Sequence, residues 1–147
     1  MSDSSVFYQI TPVSLSEHLF EVELHASVPT CTEVTLSLPA WIPGSYMIRD
    51  FARNIISIHP HSDEFSLRKQ DKQTWLMSRP DGKAFSHIAI SYRVFAYDLS
   101  VRSAYITDEY AFFNGTSTFL QVHGCEDSAQ YLQVNKAPNC EHWQVAT

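Results

Sequence analysis

"FEVELHASV", residues 20–28, alternates the apolar Phe20, Val22, Leu24, Ala26 and Val28 with Glu21, Glu23, His25 and Ser27. A period of two sends alternate side chains to opposite faces, so the stretch reads as a β-strand with one buried face. Val34, Leu36 and Leu38 repeat the pattern against Glu33, Thr35 and Ser37, and the two runs are expected to pair as antiparallel strands joined across "PTCT", residues 29–32. A third strand is "HIAISYRVFAY", residues 87–97, with Ile88, Ile90, Tyr92 and Val94 on one face. The turn sequence Pro80 to Lys83 precedes it, and "QTWLM" before that turn completes an expected hairpin. "SAYIT", "YAFFN", "TSTFLQVHG" and "QYLQVNKA" follow as short β-rich runs broken by Gly, Asn, Asp and Ser. Only "MIRDFARNI", residues 47–55, offers a helical turn. Many short strands at close spacing predict an all-β antiparallel sandwich whose apolar faces turn inward.

A length of 147 residues is one ordinary domain, and an apolar content of 44% is enough to fill its core, so residues 1–147 are expected to form a single unit. Sixteen acidic residues against 10 basic ones give a net charge of -6, which argues against nucleic acid or an anionic membrane as a partner. No run approaches the roughly 20 apolar residues of a membrane span, and the opening "MSDSSVFYQI" lacks a signal peptide's basic and apolar regions. Cytoplasmic residence is the expectation, or export by a signal since removed. The three cysteines, Cys31, Cys125 and Cys140, form no CxxC pairing and are expected to be reduced thiols.

"LPAWIPGSYMIRDFARNI", residues 38–55, has a physical reading of its own. Pro39 ends the preceding strand, Pro43-Gly44 sets a sharp turn, and Trp41 and Tyr46 are large enough to cap one end of the core. Arg49, Asp50 and Arg53 are close enough in sequence to form a local charge cluster. A rigid corner between strands accounts for all of these letters. Together with "YRVFAYDLSVRSAYIT", residues 92–107, and "FFNGTSTFLQVHG", residues 112–124, however, the stretch closely resembles the N-terminal domain of the glycyl aminopeptidase family of zinc metallopeptidases. The resemblance runs from about "FYQITP" to "HWQVAT", nearly the whole chain. It implies a β domain that precedes a thermolysin-like zinc domain and a PDZ domain.

The zinc chemistry of such enzymes rests on H-E-x-x-H, two imidazoles one helical turn apart with a Glu as base. None of the seven histidines here is followed by Glu, so no catalytic residue is expected in this chain. Zinc is expected in the parent enzyme, and the catalytic domain of the same protein is the expected partner. By analogy with aminopeptidases that carry an N-terminal β saddle, this domain would pack on the catalytic domain and form one wall of its substrate cleft. Candidates for that wall are Trp41, Tyr46, Arg49 and Asp50 in the first loop and Phe112, Phe113, Asn114, Gly115 and Thr116 in the second. The bland alternatives are core packing for the two phenylalanines and an ordinary Asn-Gly turn, whose glycosylation sequon is not expected to be used. Asp98 and Arg102 are either a polar lock between loops or two unrelated surface charges.

Two metal readings carry the right ligand types. His59 and His61 share the i, i+2 spacing of one strand face but fall in an apparent loop, and His123-x-Cys125 with Cys140-x-His142 would supply four zinc ligands if the pairs were neighbours. Neither is predicted by the resemblance. Two other function classes remain open. One is a free-standing ligand-binding sandwich with an aromatic platform drawn from Trp41, Trp75, Tyr97, Tyr105 and Trp143. The other is an interaction module that, when isolated, pairs with itself as a homodimer through an apolar patch or a strand edge.

Overall fold

Alternation becomes strands almost residue for residue. The structure is a computed structural model, and it describes residues 5–38, 54–96, 104–106, 110–113, 118–137, 140 and 142–144. The described residues form eleven strands: β1 (Ser5–Ser14), β2 (Leu19–Cys31), β3 (Glu33–Ser37), β4 (Ile55–Pro60), β5 (Ser66–Asp71), β6 (Thr74–Ser78), β7 (Phe85–Phe95), β8 (Ala104–Ile106), β9 (Ala111–Phe113), β10 (Gln121–Val122) and β11 (Ala129–Val134). The first sheet runs β11-β1-β2-β7-β4, the second β10-β3-β6-β5, and β8-β9 form a separate ribbon. The pairings are antiparallel except β1 with β11, which run parallel.

The two larger sheets face each other across one core, as the all-β antiparallel sandwich requires. Val6, Ile10, Val22, Leu24, Ile88, Ile90 and Tyr92 from the first sheet meet Leu36, Trp75, Met77 and Val122 from the second, all in one buried cluster. Along β2 the buried and half-buried residues alternate from Phe20 to Val28 as the pattern predicts.

Two expected hairpins are not formed. β2 pairs with β1 and β7, and β3 pairs with β6 and β10, so the segments around "PTCT" lie in different sheets. Only Thr32 separates Cys31 from Glu33, too little chain for a reversal, and the ladder between β2 and β7 shifts register between Ser27 and Cys31. The strand therefore bends from one sheet into the other, the usual way a sandwich makes a corner. Likewise β6 and β7 belong to opposite sheets. Their "PDGK" connection is a turn nonetheless, with Gly82 at φ 74° and its N–H donated to Arg79 O. Arg79 forks onto Asp81 at 3.1 and 2.8 Å, and this holds the Asp81 carboxyl down to about 2. The hairpin partner of β6 is instead β5.

Of "MIRDFARNI", Met47 to Arg53 lie outside the described residues, while Ile55 already belongs to β4. His59 is likewise in that edge strand and not in a loop.

Candidate functional site

The three stretches that carry the family resemblance begin or end at one end of the sandwich. At that end the β1–β2 turn, Leu15 to His18, lies beside the end of β7, because Leu19 pairs with Phe95. Ile55 pairs with Val94, which brings the start of β4 to the same place. Ala96 donates its N–H to His18 O at 2.7 Å, and Ile106 donates to Ala96 O at 2.8 Å. Thus the described residues bracketing 97–103 are bonded directly to each other and to the β1–β2 turn.

His18 makes that junction. Its φ of 60° lies in the left-handed region, which a residue with a Cβ enters only at a cost, and three hydrogen bonds hold it there. Besides the Ala96 bond, its N–H reaches Leu15 O at 3.3 Å and its Nδ1 donates to Ile106 O at 2.5 Å. Phe95 stands edge-on to the imidazole with ring centroids 6.1 Å apart.

A second junction ties 92–107 to 112–124. Tyr92 is fully buried, and its hydroxyl donates to Thr118 O at 2.7 Å while accepting the Leu120 N–H at 3.1 Å. The Tyr8 hydroxyl donates to Leu120 O at 2.6 Å. Two phenols from the first sheet thus satisfy the backbone of 118–120, which would otherwise be buried polar groups without partners. Burial pushes the Tyr8 phenol up to about 12 and Tyr92 higher still, so both stay neutral hydrogen-bonding groups and neither serves as a base. The Thr118 hydroxyl is buried and has no partner among the described residues.

Phe113 on β9 is the candidate cleft residue that the structure describes with its side chain. It sits in an aromatic chain: Phe20 to Phe113 at 5.7 Å, Phe113 to Phe119 at 5.5 Å, Phe119 to Tyr8 at 4.9 Å. That geometry is core packing at the end of the sandwich. Trp41, Tyr46, Arg49, Asp50, Asn114, Gly115 and Thr116 lie outside the described residues, as do Asp98 and Arg102. β9 pairs with β8, which places the backbone of Phe112 opposite Tyr105. In its described part this end of the sandwich therefore consists of stems: His18, Tyr8, Tyr92 and the 118–120 backbone, none of them among the candidate site residues.

The metal ligand sets do not assemble. Among the described residues no group of three or more His, Cys, Asp or Glu side chains is placed to hold a metal ion. His123 Nε2 is hydrogen-bonded to Ser37 Oγ at 2.6 Å, whereas the Cys125 thiol is buried, directed at Ser27 O at 3.8 Å and pushed up by that burial. Cys140 is buried and His142 exposed, in a pair of turns in which Cys140 N–H reaches Ala137 O and Trp143 N–H reaches Cys140 O. His61 bonds Ser91 Oγ at 2.5 Å and contacts the His25 ring at 5.3 Å. Trp75, part of the suggested aromatic platform, is 4% exposed and belongs to the core.

Residues 7–147 match the family model described as Peptidase M61 N-terminal domain. The chain belongs to that family. Among curated proteins, no sequence matches it. Among solved structures, this M61 N-terminal domain is similar to an aminopeptidase N family protein from Idiomarina loihiensis, with a TM-score of 0.85 and 40% identity. The match covers 96% of this chain and 24% of that one, so the chain spans about a quarter of its relative. A mutant M1 zinc metallopeptidase from Deinococcus radiodurans, bound to a Tyr-Ser-Ala substrate, matches at a TM-score of 0.52 and 9% identity over 91% of this chain and 32% of its own, a likeness of fold alone. No helix among the described residues is long and apolar enough to cross a membrane.

Proposed function

We propose that this M61 N-terminal domain is the noncatalytic β domain of a glycyl-aminopeptidase-like zinc metallopeptidase, and that it packs on the catalytic domain and forms one wall of the substrate cleft. The observation that carries the reading is the family match over residues 7–147 in a chain that spells no H-E-x-x-H. The described residues do not fit zinc, so the metal and the general base belong to the catalytic domain, and no bond-breaking step is assigned to this chain. What this chain contributes is position. His18, Tyr8 and Tyr92 fix the stems of 97–103 and 114–117 at one end of the sandwich, and that end is the surface offered to the catalytic domain.

The test is hydrolysis of glycyl- and alanyl-anilides with zinc present, by the 147-residue chain and by a protein extended through its gene's downstream sequence. Activity confined to the extended protein and abolished by a chelator supports the reading. An extended protein without a zinc domain, or activity in the short chain, overturns it.

A further inference from the structure

Four strand edges close the two main sheets, and three carry features that resist pairing with another chain. β4 contains Pro60, β5 carries Arg68 and Lys69, and β10 is only two residues long. β11, "AQYLQV", has no charge and no proline, and its residues Ala129 to Gln133 are exposed. Tyr131 is 57% and Leu132 46% exposed, on opposite faces of the strand. Among the described strands nothing pairs with its outer side.

Backbone parity shows what that edge offers. Asn135 donates its N–H to Ile10 O at 2.9 Å, so Asn135 faces β1. In a parallel ladder alternate residues face opposite sides, which leaves the N–H and C=O groups of Gln130, Leu132 and Val134 directed outward. A two-fold axis normal to the sheet preserves faces, so in every register it allows one residue opposes its own copy. With Tyr131 opposite its own copy, Gln130 of one chain meets Leu132 of the other in a hydrogen-bonded pair, as the parity requires. Tyr131 then occupies the closely spaced non-hydrogen-bonded position, where side-chain contact is greatest. Phe7 is the β1 partner of Tyr131 and of His25, so the rings of the two copies continue one row across the joined sheets.

We propose that β11 is a self-association edge, and that two copies of this domain join their first sheets antiparallel about Tyr131. This stands independently of the peptidase reading, since it concerns the outer edge of one sheet and not the loop end. Sedimentation equilibrium of the 147-residue chain is expected to show the mass rising from 16.8 kDa toward twice that value with concentration. Tyr131→Lys, which opposes two ammonium groups at the axis, and Leu132→Pro, which removes an outward N–H, each weaken association by about tenfold or more. Circular dichroism should remain that of the parent, because neither change removes a bond to β1. Register is read by mild oxidation in a Cys31→Ser background, where Tyr131→Cys cross-links two copies and Leu132→Cys does not. A monomer at every concentration, a dimer indifferent to both edge variants, or cross-linking through Leu132→Cys in preference to Tyr131→Cys overturns the proposal.

Discussion

Tyr92 is the residue on which the interior end of the molecule turns. Its hydroxyl acts as donor and acceptor at once, so Tyr92→Phe orphans both Thr118 O and the Leu120 N–H inside the core. Two buried backbone groups without partners should cost about 2–4 kcal/mol, against about 1–2 for Tyr8→Phe, which orphans only one carbonyl. Urea unfolding of the two variants measures the difference, and equal losses would count against the clamp. Tyr8 also sets a pH dependence. Its folded phenol sits at about 12 against 10.0 for the ordinary group, with burial as the leading cause. Raised in the folded state, it contributes stability that is complete below about pH 10 and disappears as the pH climbs through about 12. The loss is on the order of 3 kcal/mol. The Tyr8 contribution to unfolding free energy should therefore be level from neutrality to about pH 9.5 and then fall. Tyr8→Phe should make that fall shallower; an unchanged slope would mean that Tyr8 is not its source.

At the scale of elements, the β1–β2 turn separates backbone strain from side-chain bonding. His18 holds φ at 60°, so His18→Ala loses the Ile106 bond and keeps the strain, whereas His18→Gly loses the same bond and relieves it. His18→Gly should melt higher than His18→Ala, by the equivalent of about 1 kcal/mol. Identical melting temperatures would show that the turn relaxes when the imidazole is gone. The spelling "SLSEHLF" does not single out this conformation, because His, although enriched there relative to most residues with a Cβ, enters the left-handed region in only a small minority of cases. By contrast, β2 and β7 were legible because a period of two over nine or more residues leaves no other face to bury. Their partners were not legible, since alternation fixes which face is buried and says nothing of which sheet the next strand joins. β5 was missed for a related reason: "SLRKQD" is held by backbone bonds to β6 at an exposed edge, with only Leu67 turned inward. At the candidate site the rare letters of 38–55, 92–107 and 112–124 carry the family resemblance, while most of the residues they single out lie outside the described ones. The residues that anchor it are ordinary core tyrosines and a turn histidine, which periodicity alone marks as filler.

For the whole molecule, the proposed division of labour between scaffold and chemistry makes a prediction about metal. The sandwich closes on an apolar cluster that runs from Val6 to Cys125, and among the described residues no ligand set competes with it. A fold held in this way should be indifferent to zinc. Were the four residues His123, Cys125, Cys140 and His142 to bind the ion, saturation at a hundred times the dissociation constant would add about 2.7 kcal/mol, a shift of several degrees in melting temperature. The geometry opposes this, because His123 is engaged by Ser37 while Cys125 is buried toward Ser27 O. Calorimetry of the 147-residue chain should therefore give the same melting temperature with excess zinc, with chelator and with neither. On the proposed reading, the protein extended through its gene's downstream sequence offers the complementary measurement. There the chelator should abolish hydrolysis while the transition assigned to this domain stays in place, because the proposal places the ion outside the sandwich. A zinc-dependent rise in the short chain that disappears in Cys140→Ser would instead locate a metal site at this end of the sequence and move part of the chemistry onto the β domain.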